Sequence, residues 1–380
     1  MKRIYLDYNA TAPVLPEVRQ AMMEALEAVP GNASSIHHEG QIARTRVERA
    51  RRAVARAVGA PAQAVVFTAG ATESNNQVLR HHVRVEDDPF LVCTAVEHPS
   101  VIEVMRDLER DGAETALWPV DRQGRLDLEW LRARLEDGAT LVSVMWANNE
   151  VGNIYPIAEI AELVHEYDAR LHVDATQALG RVPVNFGEAE VDVMSLSFHK
   201  MGGPKGIGAI VLREGQKIEA ILAGGHQERG RRPGTENVPA AAGLEAAVNA
   251  LAEQGERWNE LLQAKRRLFL DELRKTAGDF EVRGDLENML PNTVNIAFAG
   301  IDGEDFLLAA DLEGISASSG SACTAGSLEP SHVVLAMGFE HDDARRSVRF
   351  SFGPTTPDED LVEACQRIAR ITDRLRALEA

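Results

Sequence analysis

Cysteine is scarce in this chain: three residues in 380, Cys93, Cys323 and Cys365. An odd set without metal-ligand spacing gives neither a disulfide framework nor a zinc signature, so any thiol chemistry rests on single cysteines. Long apolar runs are missing as well. The opening "MKRIYLDYNATAP" has basic residues but no apolar stretch of signal-peptide length, and no run of about 18 apolar residues occurs anywhere, so a cytoplasmic protein without membrane contact is expected. Positive charge is in deficit. Forty Lys and Arg stand against 59 Asp and Glu, a formal net charge of −19, which argues against nucleic-acid binding and suits a protein that handles small molecules. Neither the G-x-x-x-x-G-K-[ST] order of a P-loop nor a strand-linked G-x-G-x-x-G is present. Internal repeats and low-complexity linkers are also absent.

What is present is alternation. From about residue 65 to 213, seven apolar runs ("AVVFTAG", "FLVCTA", "ALWPV", "TLVSVMWA", "LHVDA", "VDVMSLS", "GIGAIVL") are separated by segments of helical period such as "VIEVMRDLERDG" and "IAEIAELVHEYDA". The pattern predicts an α/β fold with a mostly parallel seven-stranded sheet flanked by helices. From about 255 the character shifts to a charged helix through "LLQAKRRLFLDELRKTAG", an isolated strand "NTVNIAF", a further helix, a strand "SVRFSFG" and a closing helix "DEDLVEACQRIARITDRLRAL". The expected division is an N-terminal segment 1–15 packing on a small α+β domain, a large domain 16–255, and the small domain 256–380.

The stretch "SLSFHKMGGPKG" (195–206) delivers Lys200 into a glycine-rich loop at a strand end. Alone it reads as an ordinary surface lysine, as a point charge for phosphate, or as a nucleophilic amine. "LHVDATQ" (171–177) puts Asp174 at the carboxyl end of the preceding strand, where ligands of open α/β sheets bind; its bland reading is a helix cap. Together, a carboxylate for a protonated pyridine nitrogen and a lysine able to form a Schiff base are the signature of a pyridoxal phosphate site. "FTAGATESNN" (67–76) offers a cradle for the phosphate at a helix amino end, through the Ala71 and Thr72 N–H groups and the Thr72 hydroxyl, with Ser197 and His199 as further donors.

With "VEHPS", "NNEVG", "VDATQ" and "SFHKMGGPKG" in this order, the chain resembles the class V aminotransferase superfamily of fold-type I pyridoxal phosphate enzymes. "GGHQERGRRPGTEN" (224–237) and "ASSGSACTAGSLEPSHV" (317–333) narrow the resemblance to the cysteine desulfurases of the NifS/IscS branch, and it covers essentially the whole chain. The resemblance implies that Lys200 links covalently to the cofactor, Asp174 pairs with the pyridine nitrogen, and Gln177 and Asn149 reach the ring-oxygen side. His98 would stack on the ring, Ala71, Thr72, Ser197 and His199 would hold the phosphate, and Thr235 would reach the phosphate of a neighbouring subunit in a homodimer. Arg349, with Asn32 assisting, would anchor the substrate carboxylate, since a guanidinium fork matches a carboxylate. It also implies conversion of L-cysteine to L-alanine, with a persulfide left on Cys323 for an acceptor protein such as an iron-sulfur scaffold.

Each residue has a plainer reading. His98 before Pro99 reads as a polar cap, and Arg349 in an edge strand as solvated. Cys323 stands in a Ser, Gly and Ala-rich stretch suited to a mobile loop, whereas Cys93 and Cys365 lie in apolar patterns and read as small core hydrophobes. The basic helix around Arg44, Arg46, Arg49, Arg51, Arg52 and Arg56 reads as a solvated face, with an acidic partner as the alternative. Ala33 and Ala12 stand where the family commonly carries proline and a second threonine. The rival functions are a selenocysteine lyase, a small-substrate aminotransferase, or a persulfide-carrying docking partner of an iron-sulfur scaffold in which Cys323 is a transient cluster ligand.

Overall fold

The computed structural model describes residues 2–319 and 330–379. In chain order its strands are β1 (Ile4–Tyr5), β2 (Val65–Thr68), β3 (Phe90–Thr94), β4 (Glu114–Trp118), β5 (Leu141–Met145), β6 (Arg170–Asp174), β7 (Val193–Ser197), β8 (Gly208–Leu212), β9 (Phe280–Arg283), β10 (Thr293–Phe298), β11 (Ile315–Ser316) and β12 (Ser347–Ser351). Seven of them form one sheet in the order β2-β8-β7-β6-β5-β3-β4. Only β8 opposes the rest, pairing antiparallel with both β2 and β7, so six strands send their carboxyl ends to the same edge. Every residue of β3, β5, β7 and β8 is buried, because helices cover both faces and a strand with two dry faces has no polar alternation. At the sheet edge β4 is partly exposed. The expected α/β sheet is therefore the one observed.

A second layer of structure gathers the chain's ends. β12, β10 and β9 form a three-stranded antiparallel sheet with β10 at its centre, which corrects the expectation of an isolated strand. The short segment Phe280–Arg283 supplies the missing partner, hidden from pattern reading by its mixed composition, "FEVR". β1 pairs parallel with β11, Ile4 opposite Ile315, and Ile4 and Leu6 join an apolar cluster with Phe269, Val294, Ile296, Phe306, Phe350 and Cys365. The helix Val238–Thr276 runs for 39 residues, about 58 Å, straight across position 255. Val238, Leu244 and Val248 at its start pack in the core of the large sheet, while Leu262 and Phe269 further along pack in the second cluster.

Candidate active site

The carboxyl ends of the parallel strands open into a cavity of about 610 Å³. Its lining includes Ala71 and Thr72 after β2, His98 after β3, Asn149 after β5, Asp174 and Gln177 from β6 onward, and Ser197, His199 and Lys200 after β7. Nine residues chosen from sequence thus meet in one space.

Lys200 sits in a single tight turn, His199–Met201, that ends on Gly202 in the left-handed region (φ 85°). A Cβ at Gly202 would lie 2.7 Å from Leu15 Cγ, so glycine is required there on both counts. Close approach also explains Gly208: a Cβ would meet Gly70 Cα at 2.6 Å, where β8 passes under the start of the helix Ala71–Val85. That helix has no side-chain cap at Gly70, which leaves its first N–H groups to the cavity. His199 Nδ1 lies 3.1 Å from Thr11 Oγ1, and burial with the charge of Lys200 pushes its pKa down to about 4.

Asp174 is 5% exposed and held at both oxygens: Thr176 N–H donates to Oδ1 (2.9 Å) and Asn75 Nδ2 to Oδ2 (2.8 Å). Asn75 also donates to Ser100 Oγ (2.9 Å), and Ser100 meets His98 Nδ1 through its hydroxyl (2.8 Å) and its N–H (3.1 Å). His98 therefore caps the helix Pro99–Arg110 and lines the cavity at once. Burial first, then Lys200, lowers its pKa to about 4, so the ring is neutral at pH 7; with Nδ1 accepting, its proton is on Nε2. Asn75 escaped the sequence reading, although it stands one helical turn from Ala71 on the same face. Glu97 escaped too. Its Oε1 accepts from Met145 N (2.6 Å) and Thr94 Oγ1 (3.0 Å), and burial with the nearby charge of Asp174 pushes its carboxyl well up.

Other candidates fall outside the cavity lining. Arg349 lies on the edge strand β12 but is 1% exposed, which corrects the solvated reading: Nη2 donates to Asp7 Oδ1 (2.7 Å), Nη1 to the Asn149 carbonyl (3.0 Å), and Nε has no partner among the described residues. Asn32 is exposed, accepts from Ser34 N (2.8 Å) and makes no hydrogen bond to Arg349. Thr235 is exposed at a neighbouring cavity of about 230 Å³ that shares Ala69 and Gly206 with the first. Cys323 lies outside the described residues. The described stretches on either side of it do touch the site: Ser318 pairs through its backbone with Arg349 (Arg349 N donating at 2.6 Å, Ser318 N at 3.2 Å), and His332 Nε2 is 2.8 Å from the Glu97 carbonyl. The other two thiols are unreactive by burial, Cys93 pushed well up and Cys365 up to about 12.

Arg51 corrects the solvated reading of the basic helix, here His38–Ala57. It is buried against Glu228 (2.6 and 2.7 Å), whose carboxylate also accepts from Phe67 N (3.0 Å). The ion pair pins the loop leading to Thr235, in which Glu228 and Arg229 both take left-handed conformations.

The residues fit a phosphorylated pyridine aldehyde. The cavity holds an amine, a fixed carboxylate, a flat neutral imidazole and an uncapped helix amino end, and Thr176 Oγ1 is buried there without a partner among the described residues. Fold and site define an α/β protein whose strand-end cavity sets a lysine amine beside a buried carboxylate. Comparison with known proteins agrees. The model of the family described as Aminotransferase class-V matches residues 4–363. A cysteine desulfurase IscS of Dictyoglomus turgidum is 42% identical over 381 residues, covering all of this chain and 97% of its own, and cysteine desulfurase NifS of Azotobacter vinelandii is 39% identical, covering 99% and 94%. A solved NifS-like protein superposes with a TM-score of 0.92 at 32% identity, covering 98% of this chain and 100% of its own. The chain belongs to the class V aminotransferase family, in its NifS/IscS cysteine desulfurase branch.

Proposed function

We propose that this protein holds pyridoxal 5′-phosphate in the strand-end cavity, converts L-cysteine to L-alanine and leaves the sulfur as a persulfide on Cys323. The observation that carries the reading is the convergence of Lys200, Asp174, His98 and the helix amino end at Ala71 and Thr72 in one cavity. Ala71, Thr72, Ser197 and His199 would hold the phosphate. Asp174 would take the pyridine nitrogen, Gln177 and Asn149 the ring-oxygen side, His98 the ring face, and Lys200 the covalent link. When bound, the cofactor supplies an electron sink for charge developing on the amino acid's carbons.

This chain's own groups do the rest. The Lys200 amine, which lines the same cavity, would move a proton to and from the substrate. His98, neutral at pH 7 with its proton on Nε2, would offer the ring a flat, uncharged face. The Arg349 Nε–H is a buried donor that a substrate carboxylate would satisfy, while Asp7 and the Asn149 carbonyl keep the guanidinium in place. Asn32 would assist from its neighbouring loop, where its Oδ1 accepts from Ser34 N. The Cys323 thiolate attacks the substrate sulfur: an S–S bond forms, the C–S bond breaks, and the thiol's proton ends on the β-carbon of alanine. Cys323 is four residue steps beyond Ser319, a reach of at most about 14 Å. The wider proposal is a cytoplasmic homodimer, with Thr235 serving the neighbouring subunit, segment 1–15 and residues 256–380 forming the unit that carries Cys323, and an iron-sulfur scaffold as one acceptor.

The test is to supply the cofactor-loaded protein with L-cysteine and measure alanine, keto acid and acceptor-bound sulfur in the native protein and Cys323→Ser. Alanine without keto acid, with sulfur delivery lost in Cys323→Ser, is expected. Keto acid formed equally by both proteins would support the aminotransferase reading instead.

A further inference from the structure

Arg181 is a cation in a costly place. It is 5% exposed, stands beside the cavity, and has no carboxylate partner among the described residues. Nη1 donates to the main-chain carbonyl of Gln177 (2.9 Å) and to its side-chain Oε1; Nη2 donates to the carbonyls of Lys200 (3.1 Å) and Tyr8 (3.4 Å). Burial, with Arg349 nearby, pushes its pKa down to about 9, which keeps it charged at neutral pH. Burying a guanidinium among neutral oxygens carries a desolvation penalty that an apolar residue would not.

We propose that Arg181 is a positioning residue that fixes the Gln177 amide with Oε1 on the guanidinium and Nε2 toward the cavity, so that Gln177 meets the cofactor's ring oxygen only as a donor. The proposal rests on the reading of the cavity as the cofactor site. A side-chain amide offers an acceptor or a donor depending on which way its plane is turned, and a neighbour settles the choice only if it is itself one-sided. Guanidinium is donor-only, so it accepts no other orientation of Gln177. On the opposite side Gln177 Nε2 donates to the Asn9 carbonyl (3.0 Å), an acceptor-only partner that selects the same orientation. Nε2 carries two hydrogens and Asn9 uses one; Gln177 lines the cavity, so the second is available to a ligand. A donor at that point stabilises an anionic ring oxygen and lowers its proton affinity. The same guanidinium holds the Lys200 carbonyl, which ties the turn carrying the reactive amine to the amide facing the ring.

The experiment is a spectroscopic pH titration of the bound cofactor in the native protein, Arg181→Met, Arg181→Lys, Gln177→Leu and the double variant Arg181→Met/Gln177→Leu. Arg181→Met and Gln177→Leu should each raise the midpoint of the absorbance change by about one unit, tenfold in the proton equilibrium. The double variant should shift no further than either single one, since the arginine acts through the glutamine. Arg181→Lys, which keeps the charge but lacks the fork, should fall between native and Arg181→Met; it carries the test if Arg181→Met does not fold. A native midpoint in both arginine variants, or in the one that folds, or shifts that add, would overturn the positioning role while leaving the cofactor site intact. A native midpoint in Gln177→Leu would overturn the assignment of Gln177 to the ring oxygen, and the proposal with it.

Discussion

At the scale of residues, the site is a set of charges fixed before any ligand arrives. Asp174 is held by Asn75 and the Thr176 N–H, and Asn75 passes the constraint through Ser100 to His98. Asp174→Asn keeps the shape but removes the charge, so alanine formation should fall by about 10²-fold or more, with far-UV circular dichroism unchanged. Lys200→Ala should lose at least as much. Retention of native rates by either variant would remove that residue from the chemistry. His98, at about 4, should contribute no limb near pH 6.5 to the kcat/KM profile; such a limb, abolished in His98→Gln, would contradict the neutral imidazole. The residues that line the cavity were legible in sequence because each follows a strand or opens a helix in a short distinctive stretch. Asn75, Ser100 and Arg181 were not, because an asparagine or serine inside a helix and an arginine in a turn acquire meaning only from what the fold sets beside them.

At the scale of elements, the buried Arg51–Glu228 pair joins the helix His38–Ala57 to β2 and to the loop bearing Thr235. Left-handed non-glycine residues cost about 1–3 kcal/mol each. Glu228 and Arg229 hold that conformation because the Glu228 carboxylate is tied by three donors at 2.6 to 3.0 Å. Glu228→Gln leaves Arg51 with only the more exposed Glu48 (3.0 Å) as a carboxylate partner, and urea denaturation should show a loss of up to about 3–5 kcal/mol; Arg51→Met with Glu228→Leu should cost less than Glu228→Gln alone. Equal losses in both would mean that the charge pair itself is not what matters. A run of arginines on one helix looks like a solvated face, and nothing local in "GGHQERGRRPGTEN" announces that one of them is buried against its glutamate. The inner strands of the large sheet were legible because strands dry on both faces are continuous apolar runs; β9, with two charged residues in four, was not.

At the scale of the molecule, burial of histidines links stability to pH. His172, between Ser143 and Ser195, and His82 are pushed by burial from an ordinary value near 6.5 down to about 4. Between those values the unfolded chain binds protons that the folded chain does not, so this stability is whole above about pH 6.5 and declines as pH falls toward 4. The slope is about 1.4 kcal/mol per pH unit for each histidine in mid-window. Urea midpoints should therefore fall between pH 7.5 and 5.5, and His172→Gln should flatten the fall; identical midpoints at the two pH values would contradict it. The central claim, however, concerns sulfur. The most direct measurement is peptide mass spectrometry after one turnover with L-cysteine in the absence of reductant, set against the alanine released. One added sulfur atom on the peptide containing Cys323, in step with alanine, is the predicted result; alanine with that peptide unmodified would contradict the assignment of Cys323 as the sulfur acceptor.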